Sequence, residues 1–274
     1  MIDMKKKNNK DTNVDKELLK DVFSYYKKYG RHDLVWRKKI NPYKILVSEV
    51  MLQQTQVSRV LPKFTEWMKR FPTLEALRQA SLQDVLIVWQ GLGYQRRVKA
   101  LLMIAKEVKL LPKSYEQLLK LPGIGPYTAS AVCAFAYNTF VYPVLETNIR
   151  TVLIEYLHST EDEIHDGVLY DDIDRLVTYK QVEELGARHF YYALMDYGAY
   201  LKSQKISHNK KSAHHAVQSV YKGSFRELRA KALFAITHNN PLPVDERLEK
   251  VLEELVKEKY VTTEKSGKYV LVDF

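Results

Sequence analysis

The hexapeptide Leu121-Pro122-Gly123-Ile124-Gly125-Pro126 joins two segments of helical periodicity, a short one before it and a longer apolar one after it. Two glycines two residues apart let the backbone turn tightly and approach a ligand with no Cβ in the way. Pro126 suits the first turn of the following helix, whose unpaired N–H groups and positive dipole end then face the loop. A hairpin of this kind can hold a phosphate with backbone donors alone. Many helix–helix turns use glycine for geometry only, so both readings stand at this point.

Outward from the hairpin, helical periodicity runs from about Lys16 to Tyr200, broken by proline and glycine. Helices are expected over 16–29, 42–54, 57–70, 74–80, 82–89, 94–109, 114–120 and 126–137. Asn41 before Pro42 is an N-cap with proline at the first helical position, and Ser114 with Gln117 fits a capping box. Residues 1–14 read as a disordered basic tail, 15–205 as the main helical domain, and 206–223 as a basic linker. Within the main domain a six-helix lobe is expected over about 36–139, and a second lobe from 15–35 with 140–205. From 224 to 274, Ser224 and Glu227 open a helix, a second follows Pro243, and strands Tyr260–Thr263 and Tyr269–Val272 flank Ser266-Gly267. Helix, helix, hairpin is the outline of a small winged-helix-like module, with an irregular helical tail bearing a β-flap as the alternative.

The 274 residues are 46% hydrophobic, enough for a packed core, and carry a formal net charge of +10. A polyanionic partner suits that charge: nucleic acid first, an anionic membrane surface second. No apolar segment is long enough for a signal peptide or a span, so an intracellular protein, cytoplasmic or at the nucleoid, is expected. The single cysteine, Cys133, excludes an intramolecular disulfide and a cysteine-built metal site, and its apolar neighbours make it a buried small hydrophobe.

The chemistry concentrates in Asn41-Pro42-Tyr43-Lys44-Ile45-Leu46-Val47-Ser48-Glu49-Val50-Met51-Leu52-Gln53-Gln54-Thr55-Gln56-Val57. Glu49 has Ile45, Leu46 and Leu52 one turn away, and apolar surroundings raise a carboxyl pKa toward that of a neutral-pH general acid. A solvated helix glutamate is the plain alternative; the amides of Gln53, Gln54 and Gln56, able to read base edges, favour the first. This segment resembles the signature helix of MutY-type adenine glycosylases, in the helix-hairpin-helix (HhH-GPD, endonuclease III-like) superfamily. Gln90-Gly91-Leu92-Gly93-Tyr94, Leu121–Thr128 and Val144-Leu145-Glu146-Thr147-Asn148-Ile149-Arg150 follow in the family's order, and the likeness covers about residues 20–201.

The resemblance implies a mainly α, two-lobed helix-hairpin-helix DNA glycosylase fold carrying the small C-terminal α/β module. It implies Glu49 as the acid that protonates adenine, and Glu146 with Asn148 at the site that stabilises and orients the sugar cation. Arg31, Leu34, Trp36 and Gln54 match base-contacting positions, and Tyr94 matches the residue that wedges into the duplex as the target base leaves the stack. Gly123, Gly125 and Thr128, with Arg96 and Arg97, are expected at the DNA backbone. Arg150 is expected at a phosphate or in a structural ion pair. Tyr127 stands where bifunctional relatives carry a lysine nucleophile, so no Schiff base and no strand cleavage are implied.

The sequence departs from the family in three places. Glu146-Thr147-Asn148 replaces an Asp-Gly-Asn, a carboxylate one methylene longer. Lys202 falls where the first iron–sulfur cysteine would be, beyond Met195–Ala199, so the cluster is expected to be absent and no cofactor or metal is expected, His208, His214 and His215 included. No counterpart of the usual 8-oxoguanine-reading C-terminal domain is evident. The implied partner is double-stranded DNA bearing a mismatch or oxidised base, met by a monomer. Rival readings are a thymine or uracil mismatch glycosylase on the same fold, and a catalytically silent mismatch-binding protein.

Overall fold

A computed structural model describes residues 12–213 and 220–272. The helices are α1 (Thr12–Tyr29), α2 (Val35–Lys38), α3 (Pro42–Leu52), α4 (Val57–Arg70), α5 (Leu74–Arg78), α6 (Leu82–Trp89), α7 (Arg96–Glu107) and α8 (Tyr115–Leu118). They continue with α9 (Pro126–Tyr137), α10 (Thr147–Leu157), α11 (Asp166–Leu176), α12 (Lys180–Leu185), α13 (Ala187–Ser203), α14 (Phe225–Thr237) and α15 (Leu248–Lys257). Strands β1 (Val261–Thr263) and β2 (Tyr269–Leu271) pair antiparallel, Val261 opposite Leu271. The mainly helical class and the small C-terminal sheet expected from the sequence are both observed.

The chain divides into two compact units, the described residues of Met1–Ile40 with Ser130–Ala216, and those of Asn41–Ala129 with Val217–Phe274. In the first, α10 and α13 approach so closely that a Cβ on Gly198 would fall 2.1 Å from the Asn148 carbonyl oxygen. That contact, not a turn, requires glycine there. The core around it includes Phe190, Tyr191 and a stacked Phe135–Tyr192 pair, centroids 4.8 Å apart. Cys133 is buried in α9, as its neighbours suggested.

In the second unit, Asn41 caps α3 by accepting from the Tyr43 and Lys44 amides at 2.9 and 3.3 Å. All of Ile45–Met51 is buried, so α3 runs through the core instead of along a surface. The amphipathic α4 packs Val60, Phe64 and Trp67 inward, and Trp67 meets Trp89 edge-on at 5.7 Å. The C-terminal module belongs to this unit and docks on α6, where Gln83 donates to the Thr237 carbonyl at 2.8 Å.

Several expected boundaries move for identifiable reasons. Helix α3 ends at Leu52, not 54, because Gln53 leaves the helical region at ψ 114° and Gln54 follows at φ +54°; α7 opens at Arg96, not 94, because Tyr94 adopts φ +45°. Ser114 and Ser224 cap their helices by accepting from the amides of Gln117 and Glu227. Glu227 reaches back one residue further than a capping box requires, to the Gly223 amide. Helix α1 begins at Thr12, inside the expected tail; residues 1–11 lie outside the described residues. The expected linker is tied down in part, for Ile164 donates to the Lys211 carbonyl at 2.8 Å and accepts from Ala213 at 3.1 Å. His214 and His215 lie outside the described residues.

Candidate active site

Glu49 sits on the inner face of α3, 5% exposed, and the Tyr127 hydroxyl donates to its Oε2 at 3.1 Å. The sequence marked Tyr127 for the lysine it replaces; the fold shows it holding the carboxyl expected to be the acid. One turn on, Gln53 Nε2 donates to Thr128 Oγ1 at 3.1 Å. Thr128, expected at the DNA backbone, is 2% exposed, and its hydroxyl accepts from Gln53. Gln54 is exposed and left-handed. A non-glycine residue held at positive φ costs on the order of 1–3 kcal/mol and persists only where its surroundings enforce it, a pattern concentrated at functional sites.

Arg97 holds the backbone just before Gln54. Its Nη1 donates to the carbonyls of Val50, Met51 and Gln53 at 2.7, 3.1 and 2.6 Å, and its Nη2 to Leu92 at 2.8 Å. A cation on the last carbonyls of a helix opposes its negative dipole end. Burial holds the Arg97 pKa down to about 10, against the opposing pull of Tyr94. Arg97, expected at the DNA backbone, caps α3 and ties it to the turn before α7. Arg96 is exposed and pairs with Glu258 at 3.0 Å. A basic pair in the first turn of α7, where the helix dipole disfavours cations, is the one sequence sign that these arginines serve other elements.

Arg97 also packs 5.4 Å from the Tyr94 ring centroid. Tyr94 is 39% exposed and follows Gly91 and Gly93 at φ +87° and +70°. The turn is pinned by Trp89 Nε1, donating to the Gly93 carbonyl at 2.9 Å. In the hairpin before α9, Gly123 has φ +70° and its Cβ would lie 2.6 Å from that of Ala100, so geometry alone demands glycine. Gly125 differs. It is exposed and a Cβ there would meet nothing within 4 Å, so nothing inside this unit demands glycine at that position.

The other unit carries the second carboxylate. Glu146 caps α10: its Oε1 accepts from the Asn148 and Ile149 amides at 2.8 and 3.0 Å, its Oε2 from Asn148 Nδ2 at 3.1 Å and Thr147 Oγ1 at 3.3 Å. Lys202 Nζ donates to Thr147 Oγ1 at 2.9 Å; burial lowers its pKa, and Glu146 opposes the shift. Arg150 makes a bidentate pair with Asp166 at 2.8 Å, the structural one of its two expected roles. Arg31, Leu34 and Trp36 do not form an open base-contacting surface in this unit. Leu34 and Trp36 are 8% and 3% exposed, and Arg31 Nε pairs with Asp196 Oδ1 at 2.6 Å. Arg37 completes that cluster, donating to both Asp196 oxygens at 2.7 and 3.0 Å.

Residues 47–172 match the family model of the HhH-GPD superfamily base excision DNA repair proteins. Among curated proteins it is similar to the adenine DNA glycosylase of Mycobacterium tuberculosis, 41% identical over 185 residues, covering 65% of this chain and 60% of that one. The adenine DNA glycosylase of Buchnera aphidicola is 36% identical over 184 residues, covering 65% and 51%. The chain thus spans between half and three-fifths of the length of these relatives. Among solved structures, a thermostable thymine-DNA glycosylase superposes with a TM-score of 0.58 at 21% identity, over 74% of this chain and 97% of that one. Endonuclease III, trapped as a covalent intermediate with DNA, gives 0.53 at 16% identity, over 78% and 92%. The helix-hairpin-helix DNA glycosylase fold expected from the sequence is the fold observed.

Proposed function

We propose that this chain is a base-excision DNA glycosylase that hydrolyses the N-glycosidic bond of adenine mispaired with 8-oxoguanine or guanine in duplex DNA, leaving an abasic site. The observation that carries the proposal is Glu49: a carboxyl 5% exposed, bound by a phenol, on a helix that ends in the exposed, left-handed Gln54. Glu49 hands its proton to the adenine ring, the bond from the sugar C1′ to the base breaks with its electron pair, and adenine leaves neutral. The carboxylate left behind takes a proton from the water that adds to C1′. Glu146, fixed by donors at the α10 N-terminus, supplies counter-charge to the oxocarbenium-like sugar, and Asn148 orients it. Gln54 contacts the opposing base, Tyr94 enters the stack the target base leaves, and the hairpin's Gly123 and Gly125 present backbone donors to a phosphate.

With Tyr127 in place of an amine, the product is released without strand cleavage. Iron–sulfur clusters need thiolate ligands. The chain's one cysteine is buried in α9, and Lys202 is engaged with Thr147, so these residues do not fit a cluster. The proposed enzyme is a clusterless monomer acting on intracellular DNA. Among the described residues no group of His, Cys, Asp and Glu is arranged to hold a metal, and no helix is long and apolar enough to cross a membrane.

The test is a product assay on duplexes carrying A opposite 8-oxoguanine, A opposite G, T opposite G and U opposite G, each with and without alkali. Breaks that form at the adenine duplexes only after alkali are expected. Excision of T or U in place of A reassigns the substrate, and breaks without alkali overturn the monofunctional chemistry.

A further inference from the structure

The C-terminal module has no part in that chemistry, yet beyond its Gln83–Thr237 bond to α6 it makes a set of contacts along one short segment, residues 90–99. Arg226 Nη1, on α14, donates to the Tyr94 hydroxyl at 2.9 Å, and its guanidinium lies 5.9 Å from the centre of the same ring. His238, just past α14, shares a hydrogen bond of 2.9 Å with Gln90. Glu258, past α15, pairs with Arg96, and Lys99 donates to the Lys259 carbonyl at 2.9 Å while lying over the Tyr260 ring at 4.6 Å. The module therefore grips both flanks of the turn and, through one arginine, the ring at its tip.

That turn is the strained one. Gly91, Gly93 and Tyr94 all stand at positive φ, and Tyr94, unlike glycine, is disfavoured there. A side chain that is to displace a base from the stack must be held against the opposing push of the duplex, which a loop tip alone does poorly. Arg97 supports the ring from the α3 side at 5.4 Å, and Arg226 holds it from the module. We propose that the C-terminal module is the brace of the base-extrusion wedge, and that Arg226 is a positioning residue that fixes Tyr94 in its extrusion-ready orientation. This rests on the reading of Tyr94 as the wedge and extends it: the module's contribution to excision is made through residues 90–99.

Single-turnover excision by the full chain separates the possibilities. Adenine is placed opposite 8-oxoguanine, where extrusion must overcome pairing, and opposite an abasic analogue, where the unpaired base is already partly free. Arg226→Ala is expected to slow the first reaction about tenfold, the size of one lost charged hydrogen bond, and to leave the second within about twofold. Tyr94→Phe removes the same hydrogen bond from the other partner without touching the module. It should reproduce the selective loss, and the double variant should be no slower than either single. Thermal melting is recorded for each, so that an unfolded Arg226→Ala is recognised and Tyr94→Phe decides alone. Equal slowing on both duplexes overturns the brace, because a defect in folding or overall binding is blind to pairing. So does a normal Arg226→Ala or Tyr94→Phe beside a Tyr94→Ala that is selectively slow on the paired substrate, which would leave the wedge reading intact. If Tyr94→Ala itself excises both substrates normally, the wedge reading fails and the brace falls with it.

Discussion

Glu49 and Glu146 are both helix carboxylates expected at the site of chemistry, yet the structure surrounds them differently. Glu49 lies inside a core helix, with buried neighbours on both sides and a phenol on one oxygen. Glu146 is half-buried at a helix start, with backbone amides on one oxygen and the Asn148 amide and Thr147 hydroxyl on the other. Glu146 is thus held by donors on both oxygens, whereas Glu49 sits among the buried side chains of α3. The proposed function gives the first the proton transfer and the second the counter-charge. Asp196, 2% exposed between two arginines, shows the limit of the second kind: a carboxylate so fully engaged that it has only a structural use.

The largest expected effect breaks or secures the first half of that contrast. Glu49→Gln keeps the shape of the side chain and removes its proton chemistry. Excision should fall at least about 1000-fold, within the range for a general acid–base group, while melting temperature and duplex binding change little. A Glu49→Gln enzyme that retains activity would place the acid elsewhere.

Next in size is Asp196→Asn, which leaves the buried Arg37 without its counter-charge and should cost about 3 kcal/mol in denaturant unfolding. Burial pushes the Asp196 carboxyl upward, but its bonds to Arg37 and the charge of Arg31 outweigh this and hold it below its ordinary value. A depressed carboxyl stabilises the fold above its unfolded pKa and loses that contribution as pH falls through the folded one. The gap between wild type and Asp196→Asn should therefore hold from pH 7 to about 5 and narrow below about 4. A gap independent of pH would mean that packing, not charge, is what the substitution removes.

Glu146→Ala comes third. Loss of the cap should cost about 1–2 kcal/mol of stability, and Glu146→Asp, which restores a shorter carboxylate, should recover part of it. If excision falls with Glu146→Ala and returns with Glu146→Asp while stability does not, the carboxylate acts on the reaction; if the two move together, capping is its whole role.

How much of this was legible in the sequence follows from how far apart the partners are. Asn41 as a cap, the apolar run of α3 and the hairpin between α8 and α9 are local patterns, and each appears where residue type and spacing put it. The ends of α3 and α7 were not legible, because nothing in the identity of Gln54 or Tyr94 announces a positive φ. Arg97 caps a helix more than forty residues upstream, and Arg226 holds a tyrosine 132 residues away. Leu34 and Trp36 show the converse: a motif match assigned them to a base, and the fold buries both. Residue chemistry pointed to a carboxyl acid, but which groups hold it depended on long-range packing.

The smallest effect tests the finest part of the contrast. Tyr127→Phe keeps the ring and removes the hydroxyl that donates to Glu49 Oε2. A hydrogen bond given to a carboxylate favours its charged form, so its removal should shift Glu49 toward the protonated state. The basic limb of the excision rate against pH should then move upward, with the maximal rate changed no more than roughly fivefold, a bond worth about 1 kcal/mol or less. If the hydroxyl instead serves to hold the carboxyl in one rotamer, the profile keeps its position and only the maximum falls. A shift of the limb with Tyr127→Phe, together with none in Glu146→Asp, is what the proposed division of roles between Glu49 and Glu146 requires.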